Sequence, residues 1–236
     1  MTEAEWLACE EPSTLLSKWR RFPERKLVLF GCACCRLWWH LFTEELCQVV
    51  EAAEKRADAV IGPDELAATR RSLESRCPNL FWYQGDPELT VHWVAWLTAI
   101  DERGAREFEY QHPLGSDTFD DMLAALKDDL AICLAVAAKS ADAEYELERA
   151  AQAGLLRDIF GNPFRPVTFS PSWRTDTAVS LAAQMYESRD FSAMPILADA
   201  LQDAGCDNED ILNHCRDANQ PHVRGCWVVD LVLGKE

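Results

Sequence analysis

From Leu27 onward, apolar side chains return every three or four residues: Leu27, Phe30, Cys34, Trp38 and Leu41. That spacing places them on one face of an α-helix, whereas a half-buried strand needs alternation at every second residue. The rhythm resumes after Thr43-Glu44-Glu45 with Leu46, Val49, Val50, Ala53, Ala57 and Val60. It resumes again between Asp117 and Ala153 with Leu123, Leu126, Leu130, Leu134 and Leu147. No alternating pattern extends over several elements, so the chain is expected to be all-α, a multi-helix bundle of about ten helices.

Start and stop signals divide this periodic sequence. Thr2 with Glu5 three residues later is a capping box for a short first helix. Pro12 or Ser13 opens a second, Pro23 suits the first turn of a third, and Gly62-Pro63-Asp64 ends the fourth and begins the next. Turns are expected at Cys77-Pro78, at Gly85-Asp86-Pro87 and over His112–Ser116, with a helix through Trp93, Trp96, Leu97 and Ile100. The clearest boundary is the Pro-punctuated stretch 161–174, which contains Phe164, Phe169 and Trp173. Three aromatics would be costly to leave in water, so it reads as an ordered connector. This gives an N-terminal helical bundle over 1–160, the connector 161–174 and a smaller C-terminal helical part over 175–236, with one continuous domain as the alternative. Helices are expected over about Thr175–Glu187, Ala193–Ala204 and Asp207–Arg216. The last segment, His222–Leu233, is taken as helix although Trp227-Val228-Val229 also suits a strand.

Composition narrows the function classes. Forty acidic against 23 basic side chains give a net charge of -17, which repels phosphate backbones, so no nucleic-acid partner is expected. No apolar run approaches membrane-spanning length and the N-terminus is acidic where a secretory signal would be basic, so neither a membrane nor export is expected. The ten cysteines then belong to a reducing cytoplasm, where thiols pack, catalyse or bind metal more often than they form disulfides.

Cys206, His214, Cys215, His222 and Cys226 crowd the last thirty-odd residues. With Asp207 as a helix cap, Asp210 and His214 share a face, and the loop 217–221 returns the chain to His222. If His222–Leu233 is helical, His222 and Cys226 again lie four residues apart on one face. His214, Cys215, His222 and Cys226, with Cys206 as an alternative ligand, would suit tetrahedral zinc. The spacing matches no common zinc scaffold, however, and buried free cysteines are frequent core residues, so no cofactor is the first expectation and zinc the alternative. Cys32, Cys34 and Cys35 cannot all face one ion from a helix and read as core. Cys215 with His222 and an aspartate could be drawn as a thiol enzyme, but no nucleophile-bearing turn and no Gly-rich phosphate loop accompany them.

Two basic groupings interrupt the acidic surface. Lys18, Arg20, Arg21, Arg25, Lys26 and Arg36 stand against Glu24 alone. They form either a solvated helix face or a docking site for an acidic partner, for which Arg20, Arg21 and Arg25 are the candidates. Arg157, Asp158, Asn162 and Arg165 flank the connector, and Arg216, His222 and Arg224 lie in the terminal segment. If these meet, Arg157, Arg165 and Arg224 would make a second binding patch. The alternative is that they hold helix C-terminal carbonyls and buried acids.

The strings Met1–Cys9 (MTEAEWLAC), Cys32–Arg36 (CACCR), Asp158–Pro166 (DIFGNPFRP) and His222–Leu231 (HVRGCWVVDL) together resemble an expanded family of uncharacterised bacterial proteins associated with planctomycetes. The resemblance spans nearly the whole chain and implies a bacterial cytoplasmic protein, with no activity, cofactor or catalytic residue attached. The expected function is an acidic interaction or regulatory module that binds another protein without catalysis of its own. The alternative is a zinc-dependent or thiol enzyme centred on the C-terminal Cys/His cluster. Circular dichroism should be dominated by helix, and a spectrum with about a third or more strand would contradict the periodicity argument.

Overall fold

The computed structural model describes residues 1–16, 23–37, 39–76 and 142–235. Among the described residues there are ten α-helices, two short 3-10 turns and no strand, so the all-α expectation holds. The helices are α1 (Glu3–Ala8), α2 (Pro12–Leu16), α3 (Glu24–Leu37), α4 (Glu44–Ala57), α5 (Pro63–Arg76), α6 (Asp142–Phe160), α7 (Asp176–Ser188), α8 (Met194–Asp203), α9 (Glu209–Arg216) and α10 (Trp227–Leu233). The turns and the helix expected between residues 77 and 141 lie outside the described residues, as do Lys18, Arg20, Arg21 and Trp38.

The chain divides into two compact units, one formed by Met1–Glu10 with Ala151–Glu236 and one by Glu11–Ala150. The division falls inside α6, and the expected connector 161–174 and C-terminal part 175–236 lie together in the first unit.

In the second unit, Thr43 starts α4 by accepting the Leu46 N–H on its hydroxyl. α4 then packs between α3 and α5. Cys32, Cys34 and Cys35 are buried core residues of α3, and the Cys32 thiol donates to the Val50 carbonyl. Arg36 grips the buried Glu54 carboxylate with two parallel bonds of 2.7 and 2.9 Å, while its guanidinium lies 4.2 Å from the Trp39 ring centre. Arg25 does not stand on an open face. Its Nε and a terminal nitrogen both donate at 3.1 Å to Oδ1 of Asp58, a side chain with no exposure.

In the first unit, α1 begins with the expected capping box: Glu5 N–H donates to the Thr2 hydroxyl, and Thr2 N–H to the Glu5 carboxylate. Its one buried side chain, Trp6, has no exposure. Burying about 200 Å² of indole contributes on the order of 5 kcal/mol, more than six helical residues supply alone. α7 opens on Thr175, whose hydroxyl accepts the Ala178 N–H, and closes on Arg189 in the left-handed region. α9 is capped by Asn208, not by Asp207 as expected: its Oδ1 accepts the Ile211 N–H at 3.1 Å. Ala182, Met185, Leu197, Leu201, Ile211 and Val228 make the core between α7, α8, α9 and α10. The connector's Val167, Phe169 and Trp173 pack against it, the two rings meeting edge to face.

Arg25→Glu should therefore unfold the second unit more easily, not merely alter its surface. Setting a carboxylate against the buried Asp58 in place of the Arg25 cation should cost about 3 kcal/mol or more, read as a lower urea midpoint. Arg25→Glu combined with Asp58→Arg should regain part of that loss; purely additive costs would mean the pair is not coupled.

Candidate metal centre

The site begins with an acid where a helix wants a hydrocarbon. In the last turns of α6, Leu155, Leu156 and Ile159 face the interior, and Asp158 is buried with them at 0% exposure. Two glycines on the same helix let other segments reach this carboxylate. A Cβ on Gly154, one turn before Asp158, would sit 3.2 Å from the Pro221 ring, so its absence lets the 217–222 loop come down beside α6. Gly161 ends α6 with φ of +70°, and a Cβ there would lie 3.3 Å from the Trp227 indole. The loop is set by Asp217, whose carboxylate accepts the Asn219 N–H. A turn follows in which Gly225, at φ of +96°, leads into Cys226 at the N-cap of α10.

Three chain segments thus deliver ligand-type atoms to one point. His214 comes from α9, His222 from the loop and Cys226 from the start of α10. Their ligand atoms and a carboxylate oxygen of Asp158 all lie within 4.8 Å of one another. Asp158 Oδ1 is 3.1 Å from Nε2 of His214 and 2.9 Å from Nδ1 of His222. The Cys226 sulfur is 3.3 Å from His214 Nε2 and 4.0 Å from His222 Nδ1. Zinc holding nitrogen or oxygen at about 2.0–2.1 Å and sulfur at about 2.3 Å in a tetrahedron sets these edges at about 3.3–3.6 Å. The observed edges bracket those values. The other carboxylate oxygen, Oδ2, accepts the Val223 N–H at 2.9 Å, which leaves Oδ1 aimed at the centre. The two imidazoles meet edge to face, and Trp227 covers His214 at 5.1 Å between ring centres. Nε2 of His222 is buried without a hydrogen-bond partner.

Of the expected ligands, His214, His222 and Cys226 converge, and Cys215 and Cys206 do not. Cys215 follows His214 by about 100° of helical rotation, which turns its thiol toward Ile211 and Leu212 in the core. Cys206 is buried in the same core. Nor are His222 and Cys226 partners on a helix, since α10 starts at Trp227; the Gly225 turn brings them together instead. Asp158 was visible only as part of a polar patch beside the connector. The signal for its role was its position three residues after Leu155, on the apolar face of an amphipathic helix.

The electrostatics follow the burial. Burial pushes the Asp158 carboxyl up, but the hydrogen bonds and charges of His214 and His222 outweigh it and hold the acid below its ordinary value. Burial, with the Asp158 carboxylate next, pushes the Cys226 thiol well above its usual range. The same cause raises Cys215 to about 12. Without a cation at the centre, both thiols are protonated at neutral pH.

The arginines of the proposed second patch are each engaged. Arg157 donates to the Trp6 carbonyl at 2.8 Å and to that of Cys9, two acceptors at the end of α1. Arg165 bridges Glu3 and Asp210. The Arg224 guanidinium lies 4.5 Å from the Tyr186 ring centre. These are the carbonyl, acid and ring contacts of residues that fasten segments together.

No family model matches the chain, and no match was found among curated proteins or solved structures.

A haloacetamide at pH 8 should leave Cys215 and Cys226 unlabelled in the native protein and label both after denaturation, because thiolate and access are both lacking. Rapid native labelling of Cys226, read by mass spectrometry, would contradict a closed, buried centre.

Proposed function

We propose that this chain is a metal-stapled helical module in which Asp158, His214, His222 and Cys226 hold one structural zinc ion. The observation that carries the reading is the convergence of four ligand atoms from four chain segments within 4.8 Å, one of them a buried carboxylate. Two imidazoles, a thiolate and a carboxylate suit zinc, whereas calcium and magnesium prefer oxygen alone. Charge supports the same assignment. Zinc with one thiolate and one carboxylate has no net charge, so the filled centre can be buried where an unpaired anion could not.

The role is structural. Four protein ligands complete a tetrahedron and leave no position for water or substrate, and His214 and His222 side chains are only 11% and 9% exposed. Cys215, buried and with its thiol pushed up to about 12, supplies no nucleophile, and Cys226 would be held by the ion, which weighs against a thiol enzyme. The module then acts through its surface. A net charge of -17 favours a basic protein as partner. The cysteine content, with eight thiols outside disulfides among the described residues, and the resemblance to planctomycete-type proteins support a bacterial cytoplasmic setting.

Protein purified without added metal should contain about one zinc per chain, and a chelator should lower the thermal stability of the first unit. Cys226→Ala and His222→Ala should each abolish binding, with the double variant losing little further stability, because either change already removes the ion. Cobalt substitution should give intense tetrahedral absorption, and its thiolate charge-transfer band should be missing in Cys226→Ser. Metal-free protein that takes up no zinc on titration would reduce the cluster to a buried hydrogen-bond network.

A further inference from the structure

The residues that hold the N-terminal helix stand beside the metal ligands. Arg157, which takes the Trp6 and Cys9 carbonyls at the end of α1, immediately precedes Asp158. Arg165 donates to Glu3 at the start of α1 and, at 3.2 Å, to Asp210, one helical turn before His214 on α9. Asn162 Nδ2 adds a bond of 2.8 Å to the same Glu3 carboxylate. Helix α1 is therefore fastened at its C-terminal end to α6, and at its N-terminal end to the loop after α6 and, through Arg165, to α9.

Those are the segments that the ion would tie together, since Asp158 belongs to α6 and His214 to α9. We propose, resting on the metal reading, that the zinc ion controls the seating of α1: the filled centre holds α1 docked, and its loss releases the first ten residues. The physical route is short. The Glu3–Arg165–Asp210 bridge spans the junction between the α6 end and α9, and it forms only while that junction keeps its register. The Asp158–His214 link inside the centre sets that register. A helix of six residues has almost no stability of its own once its anchors slacken. No ligand lies on α7 or α8, so residues such as Ala182, Met185, Leu197 and Leu201 should stay packed when the ion leaves, although Cys226 borders the same core. The release is then a local opening and not the unfolding of the unit.

Hydrogen exchange of the full chain, zinc-loaded and after chelation, tests this with metal content measured on the same samples. Removing the ion should speed exchange at least about tenfold in residues 3–10 and in the loop 217–226, while residues 178–201 stay protected. Unchanged protection of residues 3–10 in protein shown to have lost its zinc would overturn the coupling and leave the metal site standing. Loss of protection throughout 178–201 would also overturn it, since global unfolding needs no coupling. Protein that never binds zinc would remove the metal reading itself, and the coupling with it. Arg165→Gln spares every ligand. It should retain one zinc per chain and raise exchange in residues 3–8 about fivefold with the ion bound, as expected for loss of exposed ion pairs. Exchange of those residues equal to the parent protein would show that the bridge does not hold α1.

Discussion

A carboxylate with no exposure governs the first unit. Burying the Asp158 charge without partners would cost several kcal/mol, so the fold must bring partners to it. It does so with one backbone N–H from Val223, two imidazoles and a thiol, taken from three places in the chain. The path of residues 217–226 is subordinate to this need. Pro221 rests where Gly154 lacks a side chain, Trp227 lies over Gly161, and Gly225 supplies the left-handed turn between His222 and Cys226. These three glycines have one purpose: they let polar atoms arrive at a point that helices alone could not bring together.

Local signals were legible in the sequence where they act over a few residues. The Thr2–Glu5 capping box, the Thr43 cap and the aromatic connector each depend on neighbours within one turn or on plain apolar burial, and each occurs in the structure. The helical period was legible for the same reason. What was hidden depends on distance along the chain. Asp158 lies 56 residues before His214, and nothing in its surroundings announces a ligand except an acid on an apolar face. Cys215 was misplaced because adjacency in sequence is divergence on a helix: it and His214 point about 100° apart. The expected cap, Asp207, was one residue out of register: Asn208 accepts the Ile211 N–H, and backbone geometry fixes which residue caps.

The run of basic residues on this acidic chain reads either as a solvated face or as a docking site, and among its described members the partners lie within the chain. Arg25 reaches the buried Asp58 and Arg36 the buried Glu54; outside the run, Arg157 takes the open carbonyls at the end of α1. Guanidinium is suited to this because its planar fork satisfies two acceptors at once and stays charged under burial. An excess of acids also makes such matches easy to find within the chain.

Under the metal reading, the number of protein ligands bears on what kind of protein this would be. An ion meant for chemistry needs a vacant position, and an ion held by Asp158, His214, His222 and Cys226 together would have none. Nor does the thiol need to be reactive. Its raised pKa would hinder a nucleophile, yet it is no obstacle to a ligand that gives up its proton once to a divalent cation and stays buried thereafter. The same burial that disfavours Cys226 as a nucleophile would protect it as a ligand. Under the metal reading, protection, closure and charge neutrality would act together toward holding chain segments in register, and recognition would fall to the acidic exterior.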